Sequence, residues 1–206
     1  MNKEKRAELL LDHYKDTFQN ILNHLRMRNR LFIYILALLA VIALDMFSDA
    51  TFAQWVNALI RRNLGDSAVP LDFEVIGSAV LFLLLTLIIE YYKRSITVDR
   101  QYRYLTNLEN QICEAMDGDF VTREGKSYFS KTGIYEGNGA DHRPGYLKTV
   151  GILYTYLVPV ILTLFVLFRI VTDFPPTKVT AIFNTVIGLL IVYYNVMYVV
   201  WVRFRK

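Results

Sequence analysis

Residues Phe73–Tyr92, FEVIGSAVLFLLLTLIIEYY, decide how this chain is read. The only charges in the stretch are Glu74 and Glu90, one near each end. A helix rises about 1.5 Å per residue, so about 20 mostly apolar residues cross the roughly 30 Å of hydrocarbon in a bilayer. Three further stretches equal or approach that length: Leu31–Phe47 (LFIYILALLAVIALDMF), Val150–Thr172 (VGILYTYLVPVILTLFVLFRIVT) and Val179–Val202 (VTAIFNTVIGLLIVYYNVMYVVWV). The pattern predicts an all-α membrane protein with four transmembrane helices.

The polar remainder of the 206 residues is divided among short segments, each below the size of an ordinary soluble domain. The expected organisation is a cytoplasmic amphipathic helix over 1–30, a first transmembrane pair with an outer interfacial helix over 31–92, a cytoplasmic helix extension and Gly-rich segment over 93–149, a second transmembrane pair over 150–202, and a tail over 203–206. Lys and Arg concentrate before the first span, between the second and third, and at Arg203–Lys206. The outer loop has only Arg61 and Arg62, and the last turn only Lys178. By the positive-inside rule both termini and the central segment of this multi-pass chain are expected in the cytoplasm. A long charged segment precedes the first span, which is expected to stay as an anchor rather than be cleaved. Cys113 is the only cysteine, so neither an internal disulfide nor a cysteine-based metal site is expected.

Leu11, Tyr14, Phe18, Ile21 and Leu25 step by three and four, the spacing of a heptad seam. No breaker separates them from Leu31, so one helix is expected to run into the first span. After the second span, Val98, Tyr102, Leu105, Leu108, Ile112 and Met116 continue the helical spacing until Gly118, a candidate stop. Two such stripes in water are a liability unless covered, and packing on each other, within or between subunits, is the economical solution. In the outer loop Phe52, Trp55, Val56, Leu59 and Ile60 suggest a short helix with an aromatic anchor. Gly118–Gly145 holds six of the ten glycines and reads as a long loop, with a small hairpin of Val121–Arg123 and Ser127–Phe129 about Glu124-Gly125. Pro159 is a candidate kink in the third span, and Gly188 a point of close approach in the fourth.

Gly125-Lys126-Ser127 resembles the end of a phosphate loop, but Phe120 stands where the first glycine is needed and no strand–loop–helix context surrounds it. His13, His24 and His142 lack metal-ligand spacing, and no catalytic set is apparent, so no cofactor or enzymatic activity is expected. Arg100-Gln-Tyr-Arg-Tyr104 brings cations and rings together. With Lys126, Tyr128, Lys131 and Arg143 it suits a phosphorylated ligand, Arg and Lys meeting phosphate while rings stack on bases. Topology and lipid headgroups also call for cations beneath a membrane. Arg100, Arg103, Lys126 and Arg143 are the candidate ligand contacts. Ionisable residues inside spans are costly and often functional. Asp45 and Arg169 both fall toward the outer side and are candidates to pair as a lock or to ring a pore, with Asn184 as a polar lining residue; Glu90 lies near the inner boundary.

The charged segment Glu8-Leu-Leu-Leu-Asp-His-Tyr-Lys-Asp-Thr-Phe18, leading through Leu25-Arg-Met-Arg-Asn-Arg-Leu-Phe32 into the first span, resembles the opening of small membrane effectors of bacterial anti-phage defence, the SLATT-type proteins and the Hailong-type effector. The resemblance covers about the first fifty residues; SLATT proteins are usually described with two spans, whereas four are expected here. It implies an inner-membrane homo-oligomer that depolarises an infected cell. It also implies cytoplasmic control by a nucleotide or short nucleic acid made by a partner nucleotidyltransferase. A transporter or membrane-scaffold subunit without conductance is the alternative.

Overall fold

The computed structural model describes residues 3–47, 54, 57–59, 62, 73–116, 118, 125–126, 156–172 and 178–204. Among them every regular element is a helix and no strand occurs. The four long helices are α1 (Lys3–Phe47), α2 (Phe73–Ala115), α3 (Val158–Thr172) and α4 (Val179–Phe204). In the outer loop Gln54, Asn57–Leu59 and Arg62 are helical, while Phe52, Trp55, Val56 and Ile60 lie outside the described residues. So do the expected hairpin strands about Gly125; Gly125 and Lys126 themselves are helical.

Helices α1, α2 and α4 are long and apolar enough to cross a membrane. The chain has the character of a membrane protein to that extent. α1 has 45 residues and α2 has 43, so each is about 65 Å long. That is about twice the hydrocarbon thickness, so each helix must also serve outside lipid. α3 is apolar but has 15 residues, about 22 Å. Residues 150–155, the start of the third expected span, lie outside the described set. Pro159 is the second residue of α3. α3 directly follows the π-helical Tyr156 and Leu157, so the helix changes from π to α geometry just ahead of the proline.

The chain divides into two compact units. The first comprises residues 1–30 and 91–150, and the second 31–90 and 151–206. α1 and α2 each contribute to both.

In the first unit the two apolar stripes meet. Ile21, Val98, Tyr102 and Leu105 form a buried cluster, and Tyr14, Phe18 and Leu25 pack against it. Each fully buried aliphatic side chain stabilises the pairing by about 1.5–3 kcal/mol. The seam continues along α2 through Leu108 and Ile112. α2 ends as its sequence suggests, with the Met116 amide donating to the Ile112 carbonyl at 3.1 Å and the Gly118 amide to that of Cys113 at 3.1 Å.

In the second unit Leu81, Leu84, Leu85 and Ile88 form one buried face of α2, and Ile35 and Ile42 are buried on α1. α3 packs on α4 through Leu162 and Val166 on one side and Ile187 and Ile191 on the other. Gly188 brings the two close: a Cβ there would lie 2.8 Å from Ile170 Cδ1 and 3.0 Å from Val166 Cγ1. Asn195, 2% exposed, donates its amide to Thr163 Oγ1 at 3.0 Å and to the Pro159 carbonyl at 3.3 Å. Near the start of α2, Glu74 pairs with Lys178 and accepts from Thr180 Oγ1 at 3.5 Å.

Candidate functional site: a polar groove on α1 and α2

Beside the apolar seam of the first unit runs a second stripe. Thr97, Arg100, Gln101 and Tyr104 follow the i, i+3, i+4, i+7 spacing and share one face of α2. Thr17 and Asn20, three apart, face them from α1. The six residues line a groove of about 380 Å³. This is within the size range of small-molecule sites.

Among the described residues the groove has one cation. Arg100 is exposed and makes no ion pair among the described residues. Arg103 behaves differently: its Nε lies 3.6 Å from Oδ2 of Asp99, one turn earlier, and Asp99 is 2% exposed. The polar lining is partly unsatisfied. Gln101 Oε1 is buried and accepts no hydrogen bond among the described residues. Thr17 is 8% exposed. Thr97 is committed locally, its hydroxyl donating to the Lys93 carbonyl at 2.9 Å. The Tyr104 ring is half exposed and held by His13, with Nε2 and the phenol oxygen 2.7 Å apart and the two rings edge to face at 5.7 Å. His24, about three turns after His13 on α1, meets Arg94 instead of a ring. Its Nδ1 lies 3.0 Å from Arg94 Nη1, and because arginine only donates, Nδ1 is the acceptor and any ring hydrogen sits on Nε2.

Next along α2 is a buried clamp. Glu109 is fully buried; Oε1 accepts from the Gly125 amide at 2.8 Å and from the Tyr14 hydroxyl at 3.2 Å, and Oε2 accepts from the Lys126 amide at 2.9 Å. Gly125 lies so close to α2 that a Cβ would come within 2.5 Å of the Thr106 backbone nitrogen. Glycine is required there for approach, not for backbone conformation.

The structure therefore separates the candidate ligand contacts. Arg100 lines the groove, Arg103 is engaged with Asp99, and Lys126 has its amide on Glu109 and its Nζ 4.0 Å from Cys113 Sγ. Arg143 lies outside the described residues. In the second unit Asn184 is buried on α4, and Arg169 is in the last turn of α3, its carbonyl accepting from Thr172 Oγ1 at 2.8 Å. Asp45 is within α1, and its side chain lies outside the described set, as does any pairing with Arg169.

Sequence reasoning missed Glu109, although it had a signal. Glu109 sits four residues after Leu105 and three before Ile112, a carboxyl on an otherwise apolar stripe. It also missed Thr17, Asn20 and Thr97, and it set His13 and His24 aside once their spacing did not fit a metal. No group of three His, Cys, Asp or Glu able to hold a metal occurs among the described residues. A second groove, about 300 Å³ in the second unit, is walled by Val160, Leu164, Val196, Val199 and Val200. Its Asn195 amide and Thr163 hydroxyl are bonded to each other, so it offers a solute mainly apolar surface.

No family model matches this sequence, and neither a curated protein nor a solved structure matches it.

Proposed function

We propose that the chain is an effector of bacterial anti-phage defence, a homo-oligomer of the inner membrane with four spans and both termini in the cytoplasm. It forms a pore, or disrupts the membrane, when a nucleotide or oligonucleotide acts on its cytoplasmic layer. The observation that carries this reading is continuity: α1 and α2 each run without a break through residues of both units. The groove lies on these same two helices. A ligand that binds one packing of α1 on α2 better than another shifts the population toward it, and both helices continue into the apolar unit. The resemblance of the first fifty residues to defence effectors supplies the biological setting. In this reading Asp45, Arg169 and Asn184 line or lock the conducting path, and the Gly-rich segment completes the cytoplasmic layer.

Two measurements test it. Cells expressing the protein with its neighbouring genes are infected with phage while a dye reports membrane potential; depolarisation before lysis is expected, and an unchanged potential sinks the defence reading. Purified protein in liposomes is then assayed for ion flux with wild type, Asp45→Asn and Arg169→Gln. Altered flux in at least one variant is expected. No flux under any condition leaves a scaffold or transporter subunit as the better description.

A further inference from the structure

The groove holds a combination that a merely solvated helix flank does not require. It has one guanidinium without an acidic partner among the described residues, a buried acceptor on Gln101 with no donor, a nearly buried threonine, and an aromatic ring fixed in place by a histidine. Each has a chemical complement. An unpartnered arginine fork suits a phosphate, which accepts two parallel N–H bonds from it. A buried unsatisfied acceptor calls for an N–H or O–H donor. An exposed, immobilised ring offers a face for a flat or weakly polar body.

We infer that the groove lined by Thr17, Asn20, Thr97, Arg100, Gln101 and Tyr104 binds a small molecule carrying one phosphate group and hydrogen-bond donors, about the size of a nucleoside monophosphate. This deepens, and rests on, the reading of the first unit as a ligand-sensing layer. One free cation in the groove among the described residues means one anionic group. Arg103 and Lys126, which would be needed to follow a longer phosphate backbone, have other partners. The groove's volume of about 380 Å³ also favours a single unit over an oligonucleotide. The Arg100 guanidinium takes the phosphate, the Gln101 side chain turns its now buried Oε1 outward to accept from the ligand's donor, Thr17 and Asn20 supply adjustable polar contacts, and Tyr104 flanks the body of the molecule.

Calorimetric titration of the full-length protein in nanodiscs tests the assignment. The probes are AMP, adenosine, inorganic phosphate and dihexanoyl phosphatidic acid, the last representing a lipid headgroup as the source of the phosphate. AMP is expected to bind more tightly than either adenosine or phosphate. Arg100→Gln should weaken it about tenfold or more, the scale of a lost charge-assisted pair. Gln101→Met should weaken it several-fold while leaving phosphate unaffected, and Lys126→Gln should change nothing. Circular dichroism and gel filtration establish that the variants are folded. Binding of the phosphatidic acid with the same Arg100 dependence, and none of AMP, keeps the phosphate site and assigns it to lipid. Failure of all four probes at millimolar concentration overturns the site, as does binding that Arg100→Gln leaves intact. Flux without binding at the groove removes this inference and leaves the pore; binding without flux removes the pore and leaves the groove.

Discussion

The two units obey the same helical periodicity inside and differ in what they leave outside. In the first, Ile21, Val98 and Leu105 are buried, and the large apolar side chains exposed among the described residues are scattered: Leu9, Met27, Tyr104 and Met116. In the second, apolar side chains cover the outer faces of whole helices, among them Ile33 and Leu36 on α1, Leu164 and Phe168 on α3, and Val186, Leu189 and Val196 on α4. Its buried polar side chains Ser78, Asn184 and Asn195 are uncharged, whereas the first unit buries Asp99 and Glu109. An oily exterior around a partly polar interior is what lipid selects, because helix association there gains from hydrogen bonds and small residues rather than from expelling water. A seam with a polar flank is what water selects. The lesson is that the outward face, not the inward one, identifies the solvent of a helix.

The largest test places one charge on the outside of each unit. Val186 is 52% exposed and Leu9 is 54% exposed, so accessibility alone treats them alike. Val186→Asp is expected to cost about 3 kcal/mol of insertion free energy near a helix centre, read as lost membrane-fraction protein in an insertion assay. Leu9→Asp is expected to stay within about 0.5 kcal/mol, as for an ordinary surface change. Equal, small effects would break the comparison.

The clamp in the first unit comes next. Glu109→Ala leaves two amides and the Tyr14 hydroxyl without their acceptor and should destabilise that unit by about 2–3 kcal/mol. Gly125→Ala forces the same segment off Thr106 and should cost about 2 kcal/mol. Because both break one contact, the double variant should lose little more than the worse single one. Hydrogen exchange at the amides of residues 125 and 126 measures each case, and full additivity would show the two to be independent.

Smaller effects belong to the second unit. Asn195→Ala removes the bonds to Thr163 and Pro159 and should cost about 1 kcal/mol, the usual worth of a polar contact between membrane helices. Reversible unfolding in bicelles reads it; a loss well above 2 kcal/mol would mean that Asn195 holds more than this pair. Gly188→Ala is expected to change stability by less than about 1 kcal/mol. Its new methyl meets the ends of Ile170 and Val166, which can rotate, and the helix gains in propensity what packing loses.

The helices were legible in the sequence because their signals are local. Apolar length marked the long elements, the three-and-four spacing of Ile21 and Leu25 and of Val98, Tyr102 and Leu105 marked the faces that meet, and Gly118 marked the end of α2. The site was legible only in part. Arg100 stood out as a cation, yet its difference from Arg103 depends on Asp99 being buried, which spacing suggests but does not decide. The partners of His13 and His24 lie 91 and 70 residues away in the chain, and no local rule connects them. Glu109 was passed over because the stripe was read for its apolar members, when the exception to the pattern was the informative residue.

The Glu109 clamp grips amide hydrogens, and every amino acid but one offers an amide hydrogen. At position 126 the bond that fixes the segment comes from the backbone: Lys126→Ala keeps its donor, and only proline abolishes it. Position 125 is the reverse, closed to everything larger than a hydrogen atom. Two neighbouring residues thus carry opposite tolerances, one limited by what its backbone can give and the other by the room around its α-carbon.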